Sequence, residues 1–488
     1  MKPLFADIIM EEIVKKYFRE WKKEEPVRMG LLPASGSHRK YYRICYSEGF
    51  ILGVYNESEE ENAAYISFAR QFRQERLPVP ELCHVCDDKR VYFVEDLGDV
   101  TLFSLLPHGM AYPGIRQADG RYASLFGLYR HVIRCLLDFQ TAGGTKGLDY
   151  SHVYPVESFD RTAMLWDLEH FKYFFLKLSG IGFSETALQR DFERLADLLV
   201  PETSHCFMYR DFQSRNIMIR DGKPWFIDFQ GGRRGPLAYD VASLLFDAKA
   251  DLPDEWRSAL LDYYVEEASS RMVSFDAKVF RTSFSACVLM RILQAMGTYG
   301  LRGLYERKSL FLKSIPFAIR NLAHIVDNGL MPCALPEIER LVSKLRDSHW
   351  ASFERPSSDR LTLKVGSFSY KQGLPAPENE HGGGFVFDCR FLPNPGRKEE
   401  YKNLTGRSPE VKAFLSLYPE VSGFLQNCLQ LVRPAVLRYI ERDFESLSLL
   451  FGCTGGQHRS VYCAEEMARL LRENFDVEVE LRHWVHPE

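Results

Sequence analysis

The stretch from Met208 to Leu245, MYRDFQSRNIMIRDGKPWFIDFQGGRRGPLAYDVASLL, restricts what this chain can fold into more than any other. Asp211 is followed five residues later by Asn216, and then by the apolar pair Ile217 and Met218. A turn at Asp221-Gly222 leads into Trp225-Phe226-Ile227, a short strand that ends on Asp228. Two strands joined by a tight turn bring the loop before the first beside the residue that ends the second. Asp211, Asn216 and Asp228 are thus expected to converge. Each alone is an ordinary loop or strand-end residue. Together they form the set that kinase-type phosphoryl transfer needs: a carboxylate for the attacking hydroxyl, with an Asn and an Asp oxygen for Mg²⁺.

Composition sets the bounds. At 488 residues the chain is too long for one compact domain, and two or three are expected. A formal charge of −4 argues against general affinity for nucleic acid or acidic membranes. Eleven scattered cysteines fit a reducing cytoplasm. The one dense cluster, Cys83-His84-Val85-Cys86, lacks a second ligand pair, so zinc is not expected. The N-terminal segment reads as an amphipathic helix with acidic residues, not a secretory signal. No apolar run is long enough to span a bilayer. A soluble cytoplasmic protein is expected.

In chain order, residues 1–25 read as a helix, and PASGSHRKYYRICY follows as a turn between short strands. Ser35, Gly36 and Ser37 can lay backbone N–H groups against ATP phosphates or form a surface hairpin. The strand Phe50–Tyr55 has no lysine for a nucleotide; Arg39, Lys40 and Arg43 are the nearby cations, with Arg39 and Arg43 preferred. A helix is expected over Asn62–Arg76, with Glu59, Glu60 and Glu61 as an acidic cap at its start; Glu61 either is solvated there, the preferred reading, or pairs with a cation in the site. A strand pair then ends in Val91–Gly98. Helices follow at Leu102–Leu106, Tyr122–Ala142, Thr162–Leu178 and Glu185–Val200, with Phe171, Tyr173, Phe174 and Phe175 expected in the core instead of stacking on a ligand. Past Asp228, the Gly231–Pro236 segment reads as a mobile basic loop in which Arg233 and Arg234 either meet phosphate or face solvent. Asp240 reads as the N-cap of a helix that begins at Val241. The polar segment 351–360 reads as a linker.

RDFQSRN…IDFQ…GPLAYDVASLL resembles the catalytic core of the aminoglycoside phosphotransferase (choline-kinase-like) superfamily. It is most similar to the anomeric kinases of N-acetylmuramate and N-acetylglucosamine in peptidoglycan recycling. The superfamily's usual His-Gly before the catalytic Asp is Tyr209-Arg210 here. The resemblance spans roughly residues 5–335. It implies an α+β bilobal kinase-like fold, with a small β-rich N-lobe (1–100) and a helical C-lobe (101–350), and ATP and Mg²⁺ as cofactors. It implies Asp211 as catalytic residue, Asn216 and Asp228 as metal ligands, and Ser35, Gly36, Ser37, Arg39 and Arg43 near the nucleotide. In V-E-D-L-G, Glu95 and Leu97 would present main chain to the adenine. The implied acceptor is the anomeric hydroxyl of an N-acetyl amino sugar; another small hydroxylated compound is the alternative.

Residues 361–488 read as a separate α/β domain. Strand Leu447–Phe451, the glycine-rich loop 452–460 and helix Val461–Asn474 make a strand-to-helix turn suited to anions. It is not a Walker A loop, because no Lys-Ser/Thr follows. Cys453 and Arg459 have the Cys-x5-Arg spacing of thiolate phosphatases, but Gly452 stands where those carry His, and a packed thiol is the better account. F-D-C-R-F-L-P-N-P, Thr405–Val411 and G-C-T-G-G-Q-H-R-S-V-Y resemble the C-terminal domain of RapZ, a bacterial RNase adaptor. This implies a phosphosugar site made by Arg390, Asn394, Thr454, Gly455, Gly456, Gln457, His458, Arg459 and Ser460. It also implies RNA as a partner. Against RNA, residues 361–488 hold 15 Lys+Arg against 17 Asp+Glu, a net of −2. An RNA-binding adaptor or amino-sugar-phosphate sensor is therefore the rival reading.

Overall fold

The computed structural model describes residues 2–32, 39–107, 120–143, 147–202, 206–306, 308–352, 361–375, 384–441, 444, 446–475 and 477–485. Ser35, Gly36 and Ser37, and residues 353–360 of the expected linker, lie outside them. The chain divides into two compact units, Met1–Phe353 and Glu354–Glu488.

The first unit begins with helix Lys2–Lys22 and five strands: β1 (Arg28–Leu31), β2 (Lys40–Tyr46), β3 (Gly49–Tyr55), β4 (Leu82–Val85) and β5 (Val91–Glu95). They pair antiparallel in the order β1-β2-β3-β5-β4. Side chains alternate across a strand, so the sheet has two apolar faces. Ile51 and Tyr55 of β3 and Val91 and Phe93 of β5 pack with Val14 and Phe18, one turn apart on the first helix. Gly53 sits on that face, where an added Cβ would come within 2.5 Å of Val14 Cγ1. Only a hydrogen fits there.

On the other face, Val54, Tyr92 and Val94 join the main core. Helix Glu59–Gln74, capped by Ser58 Oγ accepting from Glu61 N at 3.2 Å, packs here through Tyr65, Phe68 and Phe72. Tyr65 stacks on Tyr92 at 5.0 Å and on Phe229 at 4.7 Å. That contact ties the sheet to the residue just after Asp228. One continuous core runs on through helices Gly120–Gln140, Arg161–Phe171, Glu185–Leu199, Leu237–Leu245, Asp254–Arg271 and Ala277–Tyr299 to Trp350. Phe171 and Phe175 are in this core, where the helix from Arg161 continues as a π-turn, Lys172–Leu176, but Tyr173 points outward, 52% exposed, and is not a core residue. The segment 102–106 forms only a 3₁₀ turn, Phe103–Leu105.

Four short strands complete the first unit: β6 (Phe207–Met208), β7 (Ile217–Arg220), β8 (Lys223–Phe226) and β9 (Arg233–Arg234). β7 and β8 form a hairpin with Ile217 opposite Phe226. Its Asp221-Gly222 turn has φ of 54° and 71°, the doubly left-handed geometry that matches strand twist. β9 pairs with β6, so the segment expected as a loop is partly a ladder.

In the second unit, β10 (Thr362–Ser369), β11 (Gly384–Asp388), β12 (Ser446–Cys453) and β13 (Glu478–His483) form a parallel sheet in the order β11-β12-β10-β13. Helices Pro409–Ser416, Pro419–Glu441 and Arg459–Asn474 pack with it around Leu363, Leu449, Phe451 and Leu471. Ser369 lies beside Cys453, and Asp388 beside Gly452. The carboxyl ends of β10, β11 and β12 thus meet at one crevice, where open α/β sheets place ligands.

Candidate functional site

The hairpin brings the three expected residues together. Asn216 Nδ2 donates to Asp211 O at 2.9 Å and to Asp228 Oδ2 at 3.3 Å. The Asp211 side chain is 41% exposed. Its loop is held from behind by Asp240. Asp240 Oδ2 accepts from Tyr209 N at 2.7 Å and Oδ1 from Arg210 N at 2.9 Å. Asp240 is therefore not an N-cap: helix Leu237–Leu245 starts after Pro236 and carries Asp240 within it, fully buried. Burial pushes its carboxyl up to about 7 against the two amide donors.

Arg210 has φ of 78°, a left-handed conformation that costs a non-glycine residue ~1–2 kcal/mol. The Asp240 bonds fix it, and its guanidinium makes a two-point ion pair with Asp167 at 2.7 and 2.9 Å. The position demands the geometry of glycine, and Arg210 meets it through partners on both ends.

Asp228 also has positive φ, 68°. Burial and the neighbouring Asp211 raise its carboxyl above the usual range, partly offset by Arg39. Gln230 Nε2 donates to Asp228 Oδ1 at 2.7 Å, while Gln230 Oε1 is buried without a partner. Two carboxylates, an Asn oxygen and an orphaned amide oxygen form a hard donor set that fits Mg²⁺. Among the described residues, no group of three or more His, Cys, Asp or Glu could hold a metal by itself. That is expected where phosphate oxygens supply further ligands.

The cation facing this set comes from beside β2 instead of from β3. Lys40 pairs with Tyr55, which puts Arg39 across from Asn56. The Arg39 side chain is fully buried; Nη2 lies 3.3 Å from Glu61 Oε2 and Nη1 3.8 Å from Asp228 Oδ1. Asn56 Nδ2 also donates to Glu61 Oε2, at 3.1 Å. Glu61 is thus a paired residue and not a solvated cap. Arg43 is elsewhere: it grips Asp96 and Asp99 and donates to Gly98 O at 3.2 Å. It fixes the segment after β5 and has no cation left for phosphate. Glu95 pairs through its side chain with Arg220 at 2.6 Å. The Glu95 amide donates to Glu81 O at 2.9 Å and is not open to an adenine edge, whereas among the described residues the Leu97 main chain makes no protein hydrogen bond.

β9 sends its two arginines opposite ways. Arg234 turns out to Glu157 at 2.9 Å and over the Tyr150 ring. It is committed to that pair and is not a phosphate contact. Arg233 turns in, buried, with Nε donating to Gly231 O at 3.1 Å. Sequence reading passed over Arg291, on helix Ala277–Tyr299. Its Nη2 is 3.7 Å from Asp211 Oδ1, and its Nε donates to Ser243 Oγ at 2.9 Å. Arg291, Gln213, Asp247, Tyr299 and Asn321 line a small open pocket. Arg291 lies in the stretch Leu289–Gln294, which also resembles the sugar kinases, but its role shows only where tertiary packing brings it to Asp211.

In the second unit, the loop after β12 turns most of its expected ligand groups inward. Gln457 Nε2 donates to Lys402 O and Leu404 O, and His458 Nε2 lies 2.9 Å from Tyr401 O. Arg459 Nη1 donates to Arg390 O and to Leu392 O. Ser460 Oγ lies 3.1 Å from Cys453 Sγ, which also accepts from Gly456 N. Asn394 caps its own turn through Gly396 N. These side chains bind the protein's own loops, so the expectation that they contact a phosphosugar directly is corrected for Gln457, His458, Arg459, Ser460 and Asn394. Thr454 and Gly455 remain exposed at the crevice. Arg390 is half exposed, paired with Asp388 and stacked on Tyr370 at 4.1 Å. With Arg459 committed to carbonyls, the arginine that a thiolate phosphatase would aim at phosphate is not available beside Cys453.

Among the described residues, no helix is long and apolar enough to cross a membrane. Residues 31–273 match the phosphotransferase enzyme family, and residues 361–485 match the RapZ C-terminal domain. A nucleotide-binding protein of Xylella fastidiosa strain M12 is 40% identical over 143 residues, 29% of this chain and 47% of the relative. One from Pseudothermotoga lettingae is 38% identical over 123 residues, 25% and 42% of the two chains. The chain spans about half the length of the curated relatives it matches. Among solved structures, choline kinase LicA from Streptococcus pneumoniae aligns over 65% of this chain and 99% of its own, with TM-score 0.44 and 13% identity. A choline/ethanolamine kinase family protein from Mesorhizobium loti aligns over 70% and 100%, with TM-score 0.44 and 14% identity. The chain thus joins a domain matching the phosphotransferase enzyme family to one matching the RapZ C-terminal domain.

Proposed function

We propose that the chain is an ATP- and Mg²⁺-dependent cytoplasmic kinase that phosphorylates the anomeric hydroxyl of an N-acetyl amino sugar, with a second unit that binds a phosphosugar and regulates it. The observation that carries the phosphotransfer is the convergence of Asp211, Asn216 and Asp228 with the Arg39–Glu61 pair beside them. The sugar reading rests on the likeness of the Arg210–Leu245 sequence to the anomeric sugar kinases.

Asp211 accepts the proton, or a hydrogen bond, from the attacking hydroxyl and holds it in line. Arg291, 3.7 Å away, helps keep that carboxylate aimed. Asp240 fixes the loop backbone, which limits the positional freedom of Asp211. Arg39 presents a buried guanidinium to the phosphates, and Glu61 and Asn56 hold it in place. Asp228, Asn216 and Gln230 would hold Mg²⁺, which when bound neutralises charge developing on the phosphoryl group.

ADP release across a panel of free amino sugars, with phosphorus NMR on the product, tests the reading. Expected is turnover of an N-acetyl amino sugar with phosphate on the anomeric oxygen. Phosphate on another hydroxyl, or no turnover with any amino sugar, overturns it.

A further inference from the structure

The segment that carries helix Leu237–Leu245 grips the catalytic loop at two places. Within the helix, Asp240 holds the amides of Tyr209 and Arg210, just before Asp211. Just past the helix end, Asp247 holds Ser214, which lies between Asp211 and Asn216 in the chain. Asp247 Oδ2 accepts from Ser214 Oγ at 2.5 Å and from Ser214 N at 3.2 Å. Ser214 is fully buried, so neither donor has water to fall back on.

Ser214 opens the 3₁₀ turn Ser214–Asn216, and Gln213 before it is extended and gives the turn no side-chain cap. The first N–H of such a turn has no partner within it. Asp247 supplies that partner from another element. Around it, Gln213 N donates to Asp211 O at 3.0 Å, and Asn216 N donates to Gln213 O at 2.9 Å. Ser214 thus stands in a run of short bonds with Asp211 at one end and Asn216 at the other. A shift of Ser214 is passed to both.

Local preference does not place an acid at position 247. The C-terminal end of a helix carries partial negative charge, which disfavours a carboxylate. Here the last carbonyls are taken up from behind. Arg257 Nε donates to Leu245 O at 3.1 Å, and Asn321 Nδ2 donates to Phe246 O at 3.3 Å. Arg257 Nη2 also donates to Asn321 Oδ1 at 2.8 Å, and both side chains are buried. Asp247 O accepts from Ala250 N at 3.1 Å, which closes the turn that carries the carboxylate. A buried, mutually bonded polar network of this kind fixes one geometry. A residue set against its local preference and braced in this way marks a functional position.

We propose that Asp247 is a positioning residue: it fixes Ser214, and through Ser214 the placement of Asn216 relative to Asp211 that phosphoryl transfer uses. It acts through the loop and not by contact with substrate. This rests on the kinase reading and adds a second clamp to the one that Asp240 provides.

The test uses the full chain and the variants Asp247→Ala, Asp247→Asn and Ser214→Ala. Asparagine keeps an oxygen that can accept both Ser214 bonds, whereas alanine keeps none. Amide hydrogen exchange reads the loop, and ATP dissociation constants in Mg²⁺ and in EDTA read its metal-holding end. Expected in Asp247→Ala is exchange about tenfold faster over residues 212–216. The factor by which Mg²⁺ tightens ATP binding should fall about tenfold, with affinity in EDTA within about twofold of wild type. Asp247→Asn should stay within about threefold of wild type in both readings, and Ser214→Ala, which keeps the amide bond, should fall between. Ser214→Ala deletes one hydroxyl, so it reports even where Asp247→Ala does not fold. An asparagine variant as impaired as the alanine one overturns the clamp, because charge and not the accepting oxygen would then matter. An equal loss of ATP affinity in Mg²⁺ and EDTA overturns it as general loosening. Exchange and Mg²⁺ dependence unchanged in Ser214→Ala and Asp247→Ala overturn it and leave the kinase standing. A wild-type chain that binds no ATP removes the kinase reading and the clamp's role with it.

Discussion

Asp240 makes the account quantitatively vulnerable. It holds the two amides that shape the catalytic loop, yet it is a buried carboxylate whose affinity for a proton is raised from 3.8 to about 7. Between those values the folded chain binds a proton that the unfolded chain has already lost. This group's contribution to stability therefore falls as pH rises through the window and levels off above about 7. From pH 5 to pH 8 the loss is about 3 kcal/mol, at ~1.36 kcal/mol for each pH step below 7. Asp240→Asn does not titrate. Its stability relative to wild type should improve by about 3 kcal/mol over the same interval. The amide keeps one acceptor and turns an NH2 toward the other backbone N–H, so the loop around Arg210 loosens and turnover at pH 8 falls on the order of 10²-fold. Urea unfolding of both proteins at pH 5 and pH 8, with initial rates at pH 8, measures both effects. A stability difference independent of pH refutes the reasoning about Asp240, and unchanged turnover refutes its positioning role.

Arg39→Ala removes the buried cation beside Asp228 and should weaken ATP binding about 10–100-fold, the worth of ~1.5–3 kcal/mol for a charged hydrogen bond; equilibrium titration with ATP checks it. Arg210→Ala keeps the left-handed strain and loses Asp167, whereas Arg210→Gly loses only the ion pair. The glycine variant should be more stable than the alanine variant by ~1 kcal/mol in thermal melts. Cys453 is buried with Arg459 turned away, so the chain should not hydrolyse p-nitrophenyl phosphate, and Cys453→Ser should give the same blank rate.

The hairpin was legible because its chemistry and its turn are both local. Asp221-Gly222 specifies the turn, and the turn sets Asn216 beside Asp228. Arg39 and Glu61 were harder. Their pairing crosses from the start of β2 to a helix after β3, and spacing along the chain does not report it. Asp240 was misread because Asp before an apolar run signals a cap, but Pro236 starts the helix earlier and turns Asp240 inward. Arg43 and the loop after β12 failed for a common reason. Residue type announces a capacity to bind anions, while direction decides whether the partner is a ligand or the protein's own carboxylates and carbonyls. The sequence assigns Arg291 no role, since only helix packing brings it to Asp211.

The central claim is that Asp211 carries phosphoryl transfer to a hydroxyl. Single-turnover rates and ATP dissociation constants for the full chain and Asp211→Asn, with the preferred amino sugar as acceptor, test it most directly. The account predicts a rate loss of at least about 10³-fold, combining lost base catalysis with lost alignment, and an ATP affinity within about threefold of wild type. An Asp211→Asn protein that still transfers phosphate at near the wild-type rate would contradict it.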